Sequence, residues 1–204
     1  MLSKAVRSKA MARAAVIGLS LGVTALASLA GYSITLNADT TSHIRTAAVQ
    51  SDKWGQVTLD ISNEYEVLND YLRASSQVGR QPLLSAMGSA EANLTWLVQH
   101  GDADDRAQAA DVSETYGDYT ETLRALVAAD NEGDRESVES YAQQVNLAAS
   151  VLRKTGIAEG ARKRLEQDQY LSTADEHNQE LRVAAGAIIA VDLLLLLFLS
   201  LIHI

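Results

Sequence analysis

The chain has 204 residues, no cysteine and a formal net charge of −9, with 26 acidic against 17 basic residues. The lack of cysteine excludes disulfides, thiolate metal sites and thiol nucleophiles, and the acidic charge argues against nucleic acid as a partner. A single proline and few glycines favour long helices over a sheet sandwich rich in turns.

Two apolar segments, residues 14–36 and 183–204, lie at the two ends of the chain. At a rise of about 1.5 Å per residue, each can cross a hydrocarbon core of about 30 Å. The sequence therefore predicts two transmembrane helices in a lipid bilayer. Between them lies a polar block, residues 37–182, which has 13 basic and 25 acidic side chains and is large enough for one domain.

The residues before the first span, 1–13, contain four basic side chains and no acid. These are Lys4, Arg7, Lys9 and Arg13. Because short basic flanks stay in the cytoplasm, we expect a cytoplasmic N-terminus and an extracytoplasmic block. The alternative for the first segment is a signal peptide cleaved after Ala-Leu-Ala at residues 25–27, which leaves the block outside as well.

In the first half of the polar block, apolar side chains recur at steps of three and four. The first predicted helix runs from about residue 41 to residue 78, where a Gly-Arg-Gln-Pro sequence breaks it. A second helix then starts at Pro82, which suits a first helical turn, and ends near His100.

In the second half, a Gly-Asp turn at residues 101–102 opens the third predicted helix. This helix ends at residues 130–134, where Asp134 is expected to cap the fourth. Short loops make neighbouring helices antiparallel. We therefore predict an all-α protein, an antiparallel four-helix bundle whose long first and last helices are continuous with the transmembrane helices.

Two stretches nearest the spans, residues 38–53 and 156–180, are more polar than the rest of the predicted bundle. We expect them to form two stalk helices that bury little by themselves. Pairing with a second copy would thicken the stalk, which predicts a parallel homodimer; a mobile stalk is the alternative. Gly156 and Gly160 in this region suit either a close helix approach or a weakened, bent stalk.

The layout of a short tail, a span, a four-helix bundle with long outer helices and a second span resembles the periplasmic sensor region of bacterial transmembrane receptors. Chemotaxis receptors, sensor histidine kinases and membrane-bound diguanylate cyclases share this layout. The resemblance implies a signal-transduction receptor that binds a small molecule or a periplasmic protein. Architecture alone does not fix function, so a structural membrane tether or adaptor is the alternative.

Residues 116–123 (Tyr-Gly-Asp-Tyr-Thr-Glu-Thr-Leu) and 126–134 resemble the third helix and Gly-Asp turn ahead of many actinobacterial GGDEF and EAL proteins. This resemblance implies an output by cyclic di-GMP turnover, with a methyl-accepting chemotaxis receptor or a histidine kinase as alternatives. Residues 199–204 are similar to a translated sequencing-adapter tail. We therefore expect a truncated fragment, with an output domain beyond it.

The sequence contains no catalytic motif, and its histidines have no metal-ligand spacing, so we expect no enzyme activity, metal or cofactor in this chain. A ligand site is expected at the membrane-distal end, where Arg73 and Arg80 could clamp a carboxylate, unless they are simply solvated. Chemotaxis receptors, which the chain resembles, bind amino acids through arginines near this end. Asp192 is a costly acid within a span, either functional in packing or merely tolerated.

Overall fold

The computed structural model of the chain describes residues 4–74 and 77–203. They form five helices: α1 Lys4–Ala74, α2 Gln77–Ala86, α3 Glu91–His100, α4 Ala103–Glu132 and α5 Arg135–His203. No strand occurs in the described part of the chain. The prediction of an all-α protein is therefore confirmed.

The contacts divide the chain into two units. We call Arg45–Gln167 the central unit, and Met1–Ile44 together with Asp168–Ile204 the terminal unit. The two longest helices, α1 with 71 residues and α5 with 69, contribute to both. The predicted limits of the spans, at residues 36 and 183, remain predictions.

The predicted break at residues 79–82 is wrong, because α2 continues through Pro82 to Ala86. The described break lies instead at residues 87–90, which form the turn between α2 and α3. Gly88 in this turn has a φ of 90°, a left-handed conformation that glycine adopts with little strain. The predicted continuation of the first helix to residue 78 crosses residues 75 and 76, which lie outside the described residues.

The start signals of the last two helices are confirmed. The side chain of Asp102 accepts a hydrogen bond of 2.9 Å from the backbone N–H of Asp105, at the start of α4. Asp134 accepts one of 3.2 Å from the N–H of Ser137, at the start of α5. Both are N-caps, in which a side-chain oxygen satisfies an N–H that the helix leaves unpaired.

The central unit has one apolar core to which all five helices contribute. Its large, almost fully buried members are Trp54, Ile61, Leu68, Leu83, Leu94, Leu97, Tyr119, Leu123, Leu126 and Leu152. Within the unit α1 and α5 run in opposite directions, since Ser51 bonds the carbonyl of Gly160 while Thr58 lies against Gly156. The packing of these helices creates the clefts and buried polar groups described below.

In the terminal unit, one segment of α1 and one of α5 also run in opposite directions. Asn37 and Asn178 are joined by a hydrogen bond of 3.4 Å, and further along Gly22 lies against Asp192. Two helical stretches of the described chain, Arg13–Arg73 and Arg135–Leu201, are long and apolar enough to cross a membrane. They contain the two apolar segments from which the spans are predicted.

Candidate functional site

A cleft of about 530 Å³ lies at the end of the central unit where α4 passes into α5. We call it the end cleft. Its walls come from the last turns of α1, the α4–α5 turn and the start of α5. They are formed by Tyr71, Leu72, Asp130, Gly133, Arg135, Val138, Glu139 and Ala142.

The Tyr71 hydroxyl donates a short hydrogen bond to Asp130, and this bond joins the end of α1 to the end of α4. Burial raises the pKa of Tyr71 to about 12, and the bond to Asp130 adds to the rise. Tyr71 therefore stays a neutral donor at physiological pH. Asp130 is held in place by this bond at the wall of the cleft.

The arginine that lines the end cleft is Arg135, and the sequence analysis did not select it. Arg73 is exposed in the last turn of α1, and neither it nor Arg80 is among the lining residues. Arg80 is half-buried, and its charge acts on Tyr71. The end of α1 and the start of α5 thus border a cleft, while the predicted membrane-distal ligand site and its arginine clamp remain predictions. Arg135 could have been found only from its place directly after the turn.

A cluster of charged side chains, the ion cluster, lies at the opposite end of the central unit, beside the α3–α4 loop. Lys163 of α5 is fully buried, donates a short hydrogen bond to Asp102 and bonds Glu166 at 2.9 Å. Its Nζ is also 3.0 Å from Oδ2 of the buried Asp105. Arg162 donates to the other oxygen of Asp105 at 3.0 Å, so this carboxylate faces two cations.

The charges of the ion cluster stabilise one another. Burial opposes the charge of Lys163, but the hydrogen bonds to Asp102, Glu166 and Asp105 outweigh it and raise the pKa of Lys163 to about 12. Burial likewise opposes the charge of Asp102, yet the bonds from the Asp105 N–H and from Lys163 lower its pKa. The indole N–H of Trp54 completes the cluster with a bond of 3.2 Å to Asp105.

A second buried polar group, the Glu64 centre, lies midway along the central unit. One oxygen of the fully buried Glu64 accepts bonds from the Tyr116 hydroxyl, from the Ser89 hydroxyl at 2.8 Å and from the Ser89 N–H at 3.0 Å. The Tyr116 oxygen in turn accepts bonds from the N–H groups of Gly88 and Ala90 at 3.1 and 3.3 Å. The centre therefore joins α1, the α2–α3 turn and α4.

Asp192, the predicted polar residue of the second span, lies against Gly22 of α1. A Cβ at Gly22 would overlap the carboxylate of Asp192, and one at Gly18 would lie 3.0 Å from Leu195. Gly18 and Gly22 form a small-xxx-small pattern within an apolar segment, which allows close helix packing in membranes. The sequence analysis missed this pattern, although the spacing was there to find.

The described residues contain no group of three or more His, Cys, Asp or Glu side chains placed to hold a metal ion. Comparisons with protein-family models, with curated proteins and with solved structures found no match to the chain. Any function must therefore be argued from the geometry of its own residues.

Proposed function

We propose that the chain is the sensing and membrane-anchoring region of a bacterial signal-transduction receptor. In this proposal the terminal unit crosses the inner membrane as two transmembrane helices, with the N-terminus in the cytoplasm. The central unit is an extracytoplasmic, antiparallel four-helix bundle that binds a small molecule or a periplasmic protein. Two copies pair side by side as a homodimer.

The observation that carries the proposal is the apolar surface of the terminal unit. Large apolar side chains of both segments are exposed there by roughly half or more, among them Ile17, Leu21, Val23, Ile34, Val183, Leu194 and Leu197. Such an apolar surface is unfavourable in water and favourable in hydrocarbon. Because both segments are helical, their backbone groups bond within the helix, which suits a bilayer.

The central unit supports the sensing part of the proposal. Side chains of both charge signs, Arg135 and Glu139, line its end cleft together with the Tyr71–Asp130 pair. A cleft of this size is in the usual range for small polar ligands. The helices that line it include α1 and α5, which also carry the two apolar segments, so that a shift between them is a route for a signal.

The output remains a proposal that rests on the resemblance of residues 116–123 and 126–134. Cyclic di-GMP turnover by a GGDEF or EAL domain is our first choice. The alternative outputs are methyl-accepting chemotaxis signalling and histidine kinase activity. They rest on the same receptor architecture. We propose that the chain itself catalyses no reaction.

The proposal is tested by fusing alkaline phosphatase, which is active only outside the cytoplasm, after Gly133. We expect an active fusion, and an inactive one when β-galactosidase occupies the same position, because the basic N-terminal flank keeps the tail inside. Replacing Lys4, Arg7, Lys9 and Arg13 with glutamine is the matched control and should reduce the phosphatase signal. An inactive phosphatase beside an active β-galactosidase in the native sequence would overturn the proposed topology.

A further inference from the structure

The central unit contains two fully buried carboxyl side chains among its described residues, Glu64 and Asp105. Asp105 is compensated by Lys163 and Arg162, each 3.0 Å away. Glu64 forms no ion pair with any described Lys, Arg or His. A buried carboxylate without a countercharge is strongly disfavoured and takes up a proton more readily than one in water.

The two oxygens of Glu64 have different surroundings. Oε1 accepts all three hydrogen bonds, from Tyr116 and twice from Ser89. Oε2 is buried and has no hydrogen-bond partner in the described part of the chain. Because the lone pairs of Oε1 are already engaged, Oε2 is the atom that receives a proton.

The charged groups around Glu64 leave its negative charge uncompensated. Burial raises the pKa of Glu64 above its usual 4.5, more than the bonds from Tyr116 and Ser89 lower it, and the negative charge of Asp60 adds to the rise. From α5, the guanidinium of Arg153 lies 5.1 Å from the centre of the Tyr65 ring. From α4, the buried hydroxyl of Tyr119 has no hydrogen-bond partner among described residues.

We propose that Glu64 is a proton-binding site and that acidification of the compartment around the central unit is the stimulus it detects. The role of the proton as a stimulus rests on the proposed receptor function. The existence of the proton-binding site does not depend on that function. A protonated carboxyl accepts hydrogen bonds more weakly than a carboxylate. Protonation therefore loosens the link from α1 to Ser89 in the α2–α3 turn, where Gly88 provides the left-handed backbone.

The first test follows the amide N–H of Ser89 by NMR in the isotope-labelled, detergent-solubilised full chain. This N–H donates directly to Glu64 Oε1, so its chemical shift reports the charge of that carboxyl. We expect one titration with a midpoint above 4.5, the ordinary value for glutamate. A midpoint at or below 4.5 would overturn the proposal, and this result needs no variant.

The second test compares the thermal unfolding of variants at pH 5 and pH 8. Because the folded protein holds the Glu64 proton more tightly than the unfolded chain, this contribution to stability is present at low pH and is lost as the pH rises. Glu64→Gln resembles the protonated state, so we expect its Tm at pH 8 to exceed the wild-type value. The dependence of Tm on pH should shrink correspondingly.

Two matched controls separate Glu64 from other titrating groups. Glu66→Gln removes an exposed carboxylate two residues away on α1, and His100→Gln removes the exposed histidine at the end of α3. Both should keep the wild-type dependence on pH. If Glu64→Gln also kept it, or were less stable than the wild type at pH 8, Glu64 would not be the proton-binding site.

The outcomes also separate this inference from the proposed function. If Glu64 titrates as expected but the phosphatase fusion after Gly133 is inactive, the proton-binding site is supported. The proposal of an extracytoplasmic sensor is then rejected. If the fusion is active but Glu64 does not titrate as expected, the proposal of a membrane-anchored extracytoplasmic domain is supported. The proposal that the proton is its stimulus is then rejected.

Discussion

At the scale of single residues, the main stabilising device is the buried ammonium group of Lys163. It pairs with three carboxylates, those of Asp102, Asp105 and Glu166, and Arg162 shares Asp105. Removing one partner of a buried ion pair leaves an uncompensated charge and typically costs about 3–5 kcal/mol. We therefore expect Lys163→Met to lower the free energy of unfolding by about that amount, measured by denaturant titration of the detergent-solubilised chain.

The control is Lys154→Met, which removes an exposed lysine from the same helix. Its effect should stay within about 0.5 kcal/mol, as for most surface substitutions. Equal midpoints for the two variants would show that the ion cluster adds no stability. A more stable Lys163→Met would mean that desolvation of the ions outweighs their attraction.

Apolar periodicity located the buried face of α1 but could not reveal its buried acid. The apolar side chains that recur at steps of three and four in this helix include Val57, Ile61, Tyr65 and Leu68. In the structure Glu64 is fully buried, whereas Tyr65 is only partly so. A pattern of apolar residues assigns charged side chains to solvent, because the partners that make burial tolerable come from distant parts of the chain.

At the scale of helices, the approach of α1 to α5 depends on glycines. A Cβ at Gly156 would overlap the hydroxyl of Thr58, and one at Gly160 would lie 3.7 Å from the Ser51 carbonyl oxygen. Of the two sequence interpretations, close approach or a weakened stalk, the structure supports close approach. Part of the predicted stalk, residues 156–167, lies in the central unit and contains the buried Lys163.

Replacing a helical glycine with alanine should change the stability of the central unit in opposite directions at a contact position and at an open position. Gly156→Ala should destabilise the central unit by roughly 1–2 kcal/mol, because the overpacking against Thr58 exceeds the gain in helix propensity. Gly55→Ala, on an exposed helical position with no atom within 4 Å of an added Cβ, should stabilise it by about 0.5–1 kcal/mol. Unfolding midpoints of the two variants provide the comparison. Destabilisation by both would mean that the response is not due to the α1–α5 contact.

The helix boundaries show which structural features can be predicted from neighbouring residues in the sequence. The turn at residues 101–102 and the N-cap Asp134 are local in sequence and were predicted correctly, whereas the capping role of Asp102 was not predicted. The α2–α3 break was misplaced, because Pro82 was expected to mark the start of a helix. The turn at residues 87–90 is held by Glu64 and Tyr116, which lie 25 and 28 residues from their partners. A local reading of propensity cannot detect such contacts.

At the scale of the whole molecule, two groups give stability opposite dependences on pH. The pKa of Glu64 is raised, chiefly by burial. The stability that Glu64 contributes to the folded protein is therefore fully present below pH 4.5 and is lost as the pH rises. The pKa of Asp102 is lowered: burial opposes this, but the bonds from the Asp105 N–H and Lys163 outweigh it. Its contribution is present above pH 3.8 and is lost as the pH falls below that value.

The two dependences place the maximum stability of the chain between the pH at which Asp102 takes up a proton and the pH at which Glu64 loses one. The excess of acidic side chains adds to the loss of stability as the pH rises, since their mutual repulsion grows as they ionise. Thermal unfolding from pH 3 to 8 measures the profile. Glu64→Gln should flatten only the limb above the maximum, and Asp102→Asn only the limb below it. A wild-type maximum at or above pH 7 would show that neither carboxyl governs the stability of the folded chain.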